Sequence, residues 1–280
     1  MTIKTVAVSL NDINRLDSLL DYAAALAGRF GAQVNGVYVI PAVQVYPSIG
    51  FEAVPQVFDG HRQFFKEKLD SVRAAFESAM QKAGQDHRFE CVDAKEPAVA
   101  GGLLRFTRRA DIAVIAVPEG ETTAGIETDF VENVLMAAGR PVIALPASGQ
   151  AAFSVQEVVV GWNGAREATR AVFDALPLLR LAEQVRIVIV DPQDDPEFRD
   201  RVAGINISEA LSRHGVKCQA ESIATGGLDH GEALLSKAAE TGAGLVVMGA
   251  YGHSRLAEFV FGGATRFVID HIDRPVLFSH

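Results

Sequence analysis

Apolar residues in the second half of the chain fall into short runs separated by longer helical patterns. Val158-Val159-Val160, Val185–Val190, Val216–Glu221, Leu245–Met248 and Val276–Phe278 read as strands. Between the first two, Ala168, Val172 and Leu176 recur at helical spacing. Further helices are predicted near Phe198–Arg213, Gly231–Thr241 and Ala264–His271. The order is β-α-β-α-β-α-β-α-β. Runs such as VRIVIV (Val185–Val190) are apolar on both faces, as a strand must be when helices cover both sides of its sheet. The pattern therefore predicts a parallel, doubly wound α/β domain. Such sheets bind ligands at the carboxyl ends of their strands, near the switch point.

The same pattern is written twice. TVAVSLN (Thr5–Asn11) answers EVVVGWN (Glu157–Asn163), and QVNGVYVIP (Gln33–Pro41) answers QVRIVIVDP (Gln184–Pro192). DIAVIAV (Asp111–Val117) answers GLVVMGA (Gly244–Ala250), and GRPVIALP (Gly139–Pro146) answers DRPVLFSH (Asp273–His280). Cys91 falls opposite Cys218. The expected fold is two tandem doubly wound domains, each with a five-stranded, mostly parallel sheet flanked by helices. The boundaries are 1–146 and 157–280, with a small, polar linker at 147–156. Extra residues in the first half lie around Pro41–Gly60, whose prolines and glycines read as a loop. The last strands, Val142–Leu145 and Val276–Phe278, are apolar edge candidates along which the two halves are expected to pack as an internal pseudo-dimer. A homodimer of the whole chain stays open.

Composition narrows the class. A chain of 280 residues suits two domains better than one core, and 49% hydrophobic with 22% charged residues marks a globular protein. No apolar run reaches the ~18 residues that span a bilayer, and Met1–Lys4 leads into a strand rather than a signal peptide. A cytoplasmic protein without a membrane role is expected. The net charge of −9 argues against a general nucleic-acid binder. One anionic ligand remains compatible, because backbone N–H groups can hold it. Cys91 and Cys218 read as buried or half-buried thiols of a reducing compartment, and the sequon Asn206-Ile207-Ser208 as chance.

The candidate chemistry lies in GAYGHSRLAEFVFGGATR (Gly249–Arg266). Gly249 and Gly252 follow the carboxyl end of a strand, where a missing Cβ lets backbone turn and approach a ligand. Gly262-Gly263-Ala264-Thr265 stands where the next helix begins, and free N–H groups there favour an anion. Together they read as a phosphate cradle. The spacing resembles the Gly-x2-Gly-x9-Gly-(Ser/Thr) nucleotide signature of the universal stress protein family, and the two halves resemble that family's tandem members. The resemblance implies a Rossmann-like fold of the adenine nucleotide alpha hydrolase type. It implies an adenine nucleotide, ATP first, in the C-terminal domain. Gly263 stands where the family has Ser or Thr, and Thr265 matches its later hydroxyl. Asn163, after Trp162, takes the place of the family's acidic residue; Val190 matches its adenine-binding backbone. Met248, Gly249 and Ala250 close the other side of the base, and His253 falls near the phosphates.

The first half lacks this apparatus. Ala116, Glu119 and Thr128-Asp129 replace the glycines, and Glu119, Glu121, Glu127 and Asp129 would repel phosphates. No P-loop, dinucleotide glycine fingerprint or esterase elbow is present. Asp229-His230-Gly231-Glu232 reads as a helix cap rather than a metal site. The acidic stretch Asp191–Glu197 reads as a solvated turn, with Mg²⁺ on nucleotide phosphates as the remoter role. The favoured function is an ATP-binding stress-response regulator acting on an unidentified protein partner; the alternative is a structural or interaction protein without nucleotide, or a slow ATPase.

Overall fold

The computed structural model describes residues 2–42, 54–119, 126–149, 151–191, 204–252 and 263–280. It divides into two compact units, Ile3–Ala138 and Gly139–His280. Among the described residues no helix is long and apolar enough to cross a membrane.

The N-terminal unit runs β1 (Thr5–Ser9), a 3-10 turn (Ile13–Arg15), α1 (Leu16–Phe30), β2 (Gln33–Ile40), α2 (Val54–Lys82), β3 (His87–Asp93), α3 (Val99–Thr107), β4 (Ile112–Ala116) and α4 (Phe130–Ala138). Its strands lie in the order β3-β2-β1-β4, all parallel. Val6, Val8, Val114 and Ile115 are fully buried in the middle strands. A Cβ on Gly36 would sit 2.6 Å from the Phe76 ring, so α2 packs onto β2 through that glycine. The loop expected over Pro41–Gly60 is corrected in its second part, because α2 already begins at Val54. Pro55 sits in the first turn, where its missing N–H costs nothing, and Gly60 costs only about 1 kcal/mol within a 29-residue helix. Residues 43–53 of that stretch lie outside the described residues.

The C-terminal unit runs β5 (Val142–Leu145), β6 (Glu157–Gly161), α5 (Arg166–Asp174), α6 (Leu176–Leu179), β7 (Gln184–Val190), α7 (Gly204–Arg213), β8 (Cys218–Ile223), α8 (His230–Thr241), β9 (Leu245–Gly249), α9 (Ala264–His271) and β10 (Val276–Ser279). The strand order is β5-β10-β9-β6-β7-β8. Five of these strands are parallel; β5 alone runs antiparallel, pairing Val142 with Phe278, Ile143 with Leu277 and Ala144 with Val276. The doubly wound, mostly parallel α/β fold is thus present. β8 starts two residues later than the apolar run at Val216, because Val216 N–H bonds Leu211 O and closes α7 behind Gly215 at φ 81°. Both cysteines are free. Cys218 is half-buried as expected, its thiol donating to Ser208 O of α7 at 3.4 Å, but Cys91 is exposed.

Candidate functional site

The chain runs from β6 outward to β7 and β8 and then crosses back to β9 on the other side of β6, so the switch point lies at the carboxyl ends of β6 and β9. Trp162 follows β6. Its N–H donates to Val188 O at 2.9 Å, so the polar groups of Val188 face β6. Strand groups alternate with period two, so the N–H and C=O of Val190 face the same way. β6 has already ended there, since its last paired residue is Gly161 opposite Val188. Among the described residues the Val190 peptide therefore looks onto an open edge. Trp162 is 91% buried, and among the described residues its indole N–H has no hydrogen-bond partner. Met248, also buried, is the last residue but one of β9, on the other side of β6.

Asn163 is exposed. Its Oδ1 accepts the Ala165 N–H at 3.0 Å, which starts α5 and leaves the side-chain amide nitrogen available. The turn passes through Gly164 at φ 69°, a left-handed value that glycine reaches without strain.

The two glycine clusters meet through a hydroxyl. Tyr251 takes φ 54°, and its N–H donates to Oγ1 of the buried Thr265 at 3.2 Å. Gly263 caps α9 and has no side-chain acceptor, so among the described residues no cap side chain takes the N–H groups that open the helix at Ala264 and Thr265. Ala250 is fully buried; its N–H bonds Ser279 O at 2.8 Å, and its carbonyl lies 2.9 Å from His280 Nδ1. His253 and Gly262 lie outside the described residues.

Gly249 has a second reason to be glycine. A Cβ there would meet Ala168 N and Glu167 C at 2.5 Å, so the close approach it permits includes that of the first turn of α5. At Gly252 a Cβ would meet only Glu167 Oε2, at 2.9 Å. Glu167 carries no sequence signal that marks it for the site. It is 6% exposed, and its Oε1 pairs with Arg166 at 2.9 Å. A carboxylate thus stands beside the cradle with its own arginine to compensate it. Ser279 was equally illegible, as the last residue of an apolar strand; its hydroxyl is buried and has no partner among the described residues.

Asp191, at φ 42°, turns its carboxylate onto Thr225, taking the backbone N–H at 3.0 Å and the hydroxyl. These bonds hold its carboxyl below the usual aspartate value. The rest of the acidic stretch, from Pro192, lies outside the described residues. Asp229 caps α8 by accepting the Gly231 N–H at 2.7 Å.

The equivalent corner of the N-terminal unit is arranged differently. Asn11 is buried; its Nδ2 donates to Val39 O at 2.7 Å and its Oδ1 accepts the Val39 N–H at 2.9 Å. Glu127 does not stand free, for it accepts the N–H groups of Val99 and Ala100 at 2.9 and 2.8 Å and caps α3. Ala116 is buried and Glu119 exposed; Glu121 lies outside the described residues.

A model of the universal stress protein family matches residues 154–280. The chain is 26% identical over 279 residues to the universal stress protein Slr1230 of Synechocystis, covering 91% of this chain and 92% of that one. Its fold is similar to the crystal structure of a universal stress protein from Archaeoglobus fulgidus, with a TM-score of 0.72, 16% identity and coverage of 99% and 96%. A Pseudomonas aeruginosa PAO1 protein of unknown function shares the fold at a TM-score of 0.55, 11% identity and coverage of 99% and 92%.

Proposed function

We propose, for a chain that belongs to the universal stress protein family, that the C-terminal unit binds one adenine nucleotide, ATP, at the carboxyl ends of β6, β7 and β9. The observation that carries this reading is the open edge of Val190. Adenine presents a ring-nitrogen acceptor beside an amino donor, and a peptide N–H and C=O on one strand match that pair. In this reading the buried Trp162 and Met248 line the base pocket, and the amide nitrogen of Asn163 is the proposed contact to base or ribose. The first-turn N–H groups of α9 and the Thr265 hydroxyl are the proposed phosphate contacts, with Gly252, Gly262 and Gly263 giving the backbone room. His253 is the proposed basic neighbour. Mg²⁺ has no proposed protein ligand, since the Asp191 carboxylate is already engaged by Thr225.

In this reading the chain is a cytoplasmic stress regulator whose binding to a protein partner changes with nucleotide state. A second reading, an interaction protein without nucleotide, has one observation in its favour: the Glu167 carboxylate beside Gly252. Calorimetric titration of the full chain with ATP, ADP and adenosine separates them. About one adenine-nucleotide site per chain is expected. No measurable binding of any of the three overturns the proposal.

A further inference from the structure

The base edge exists twice, and in the N-terminal unit it is filled. Asn11 and Val39 are the sequence counterparts of Asn163 and Val190. The ladder runs identically up to that point: Leu10 N–H donates to Val37 O at 2.9 Å, as Trp162 does to Val188. Two residues on, the paths part. The Val39 N–H and C=O are both taken by the Asn11 carboxamide, at 2.9 and 2.7 Å, in a buried setting. A carboxamide offers one acceptor beside one donor, the same pair that adenine offers.

We infer that the N-terminal unit holds a second recognition site for an adenine ring, closed by the Asn11 carboxamide, which occupies Val39 in place of a ligand. The inference rests on the proposal that the Val190 peptide reads a base edge.

The residue after each asparagine sets the difference. Gly164, at φ 69°, swings Asn163 outward to start α5. Asp12, at φ −82° and ψ 90°, keeps the chain extended and caps the 3-10 turn by accepting the Arg15 N–H at 3.2 Å. Asn11 is thereby left facing Val39. A left-handed φ is easy for glycine and strained for most other residues, so the two settings are written in one position.

The ligand class of the closed site is an uncharged adenine or adenosine. Asp12 and Glu119 lie near this corner, and Glu127 already caps the start of α3, so phosphates would meet carboxylates.

Removing the plug tests the inference. In full-length Asn11→Ala the Val39 N–H and C=O lose their partners and space opens beyond Cβ. Adenosine titration should give about one site in the natural chain and about two in the variant. The added site should shift the Val39 amide resonance. Purine riboside, which lacks the amino donor, should not fill it. Thermal melting should show the variant less stable than the natural chain and raised more by adenosine. Acetamide, which carries the same carboxamide edge, should also raise it. An equal site count in both proteins, with the Val39 amide unmoved, overturns the inference and leaves Asn11 as a loop clamp. A count of none in the natural chain and one in the variant supports the plug and overturns the Val190 proposal instead. If the alanine variant does not fold, Asn11→Ser keeps a partner for one Val39 group, and the same counts decide.

Discussion

Single residues here do work that their type alone does not announce. Asp12 uses one carboxylate oxygen to cap Ile13–Arg15 and buries the other, which has no hydrogen-bond partner among the described residues. Burial raises its pKa; the Arg15 N–H and charge oppose the rise, and the charge of Glu119 adds to it. A raised carboxyl pKa means that the folded chain holds the proton more tightly than the unfolded chain. That contribution to stability is fully present below the unfolded value and is lost as pH rises through the folded one. Asp12→Asn keeps the capping oxygen and removes the charge. We expect it to melt a few degrees higher at neutral pH, for a gain of about 1 kcal/mol, with the difference closing as the medium is acidified. A melting series against pH checks this, and a shift of equal size at every pH would contradict it. The two cradle glycines should separate in a similar way. Gly249→Ala drives a Cβ into α5 backbone that cannot swing aside, so a loss of about 1–3 kcal/mol in denaturant unfolding is expected. Gly252→Ala meets only the end of the Glu167 side chain, so stability should hold while ATP affinity falls. The sequence made both glycines visible, but the approach of the Glu167–Ala168 backbone to Gly249 depends on how α5 crosses β9, which no local pattern records.

Elements were more legible than side-chain directions. Every strand expected in the second half is present; the central ones were plain because buried parallel strands must be apolar on both faces, whereas β8 mixes half-buried and exposed residues. The beginning of α2 was not legible, since Pro55 and Gly60 are ordinary loop residues until a long helix absorbs them. Nor was the outward turn of Asn163, which hangs on the φ of Gly164. The last strands were visible as apolar edges, and the β5–β10 ladder gives them a measurable weight. Val276 is fully buried between Ala144 and Val246. A lysine there would be a buried, unpaired charge, costing several kcal/mol. Val276→Lys is therefore expected to melt far below the natural chain or to aggregate, whereas Gln219→Lys, on an exposed position of β8, should leave melting unchanged. Similar melting of the two variants would remove the ladder from the account of stability.

At the scale of the whole molecule, the duplication was plain because both copies kept the apolar spacing that a doubly wound sheet needs. What each copy does with its crevice was only half visible. The lost glycines of the first half could be read, but the side-chain plug on Val39 could not, because Asn stands at that position in both halves. The grouping of β5 with the C-terminal strands bears on where the chain can be cut. Proteolysis or truncation within the small, polar residues 147–156 would carry β5 away and strip one side of β10. A fragment beginning at Gln156 would then expose the backbone of Val276–Ser279 and should pair with a second copy, or precipitate. A fragment beginning at Gly139 would keep β5 on β10 and should associate less than the shorter one. Sedimentation of the two fragments would show it, and it makes the piece of chain before the seam, rather than the seam itself, the part that an excised C-terminal half cannot do without.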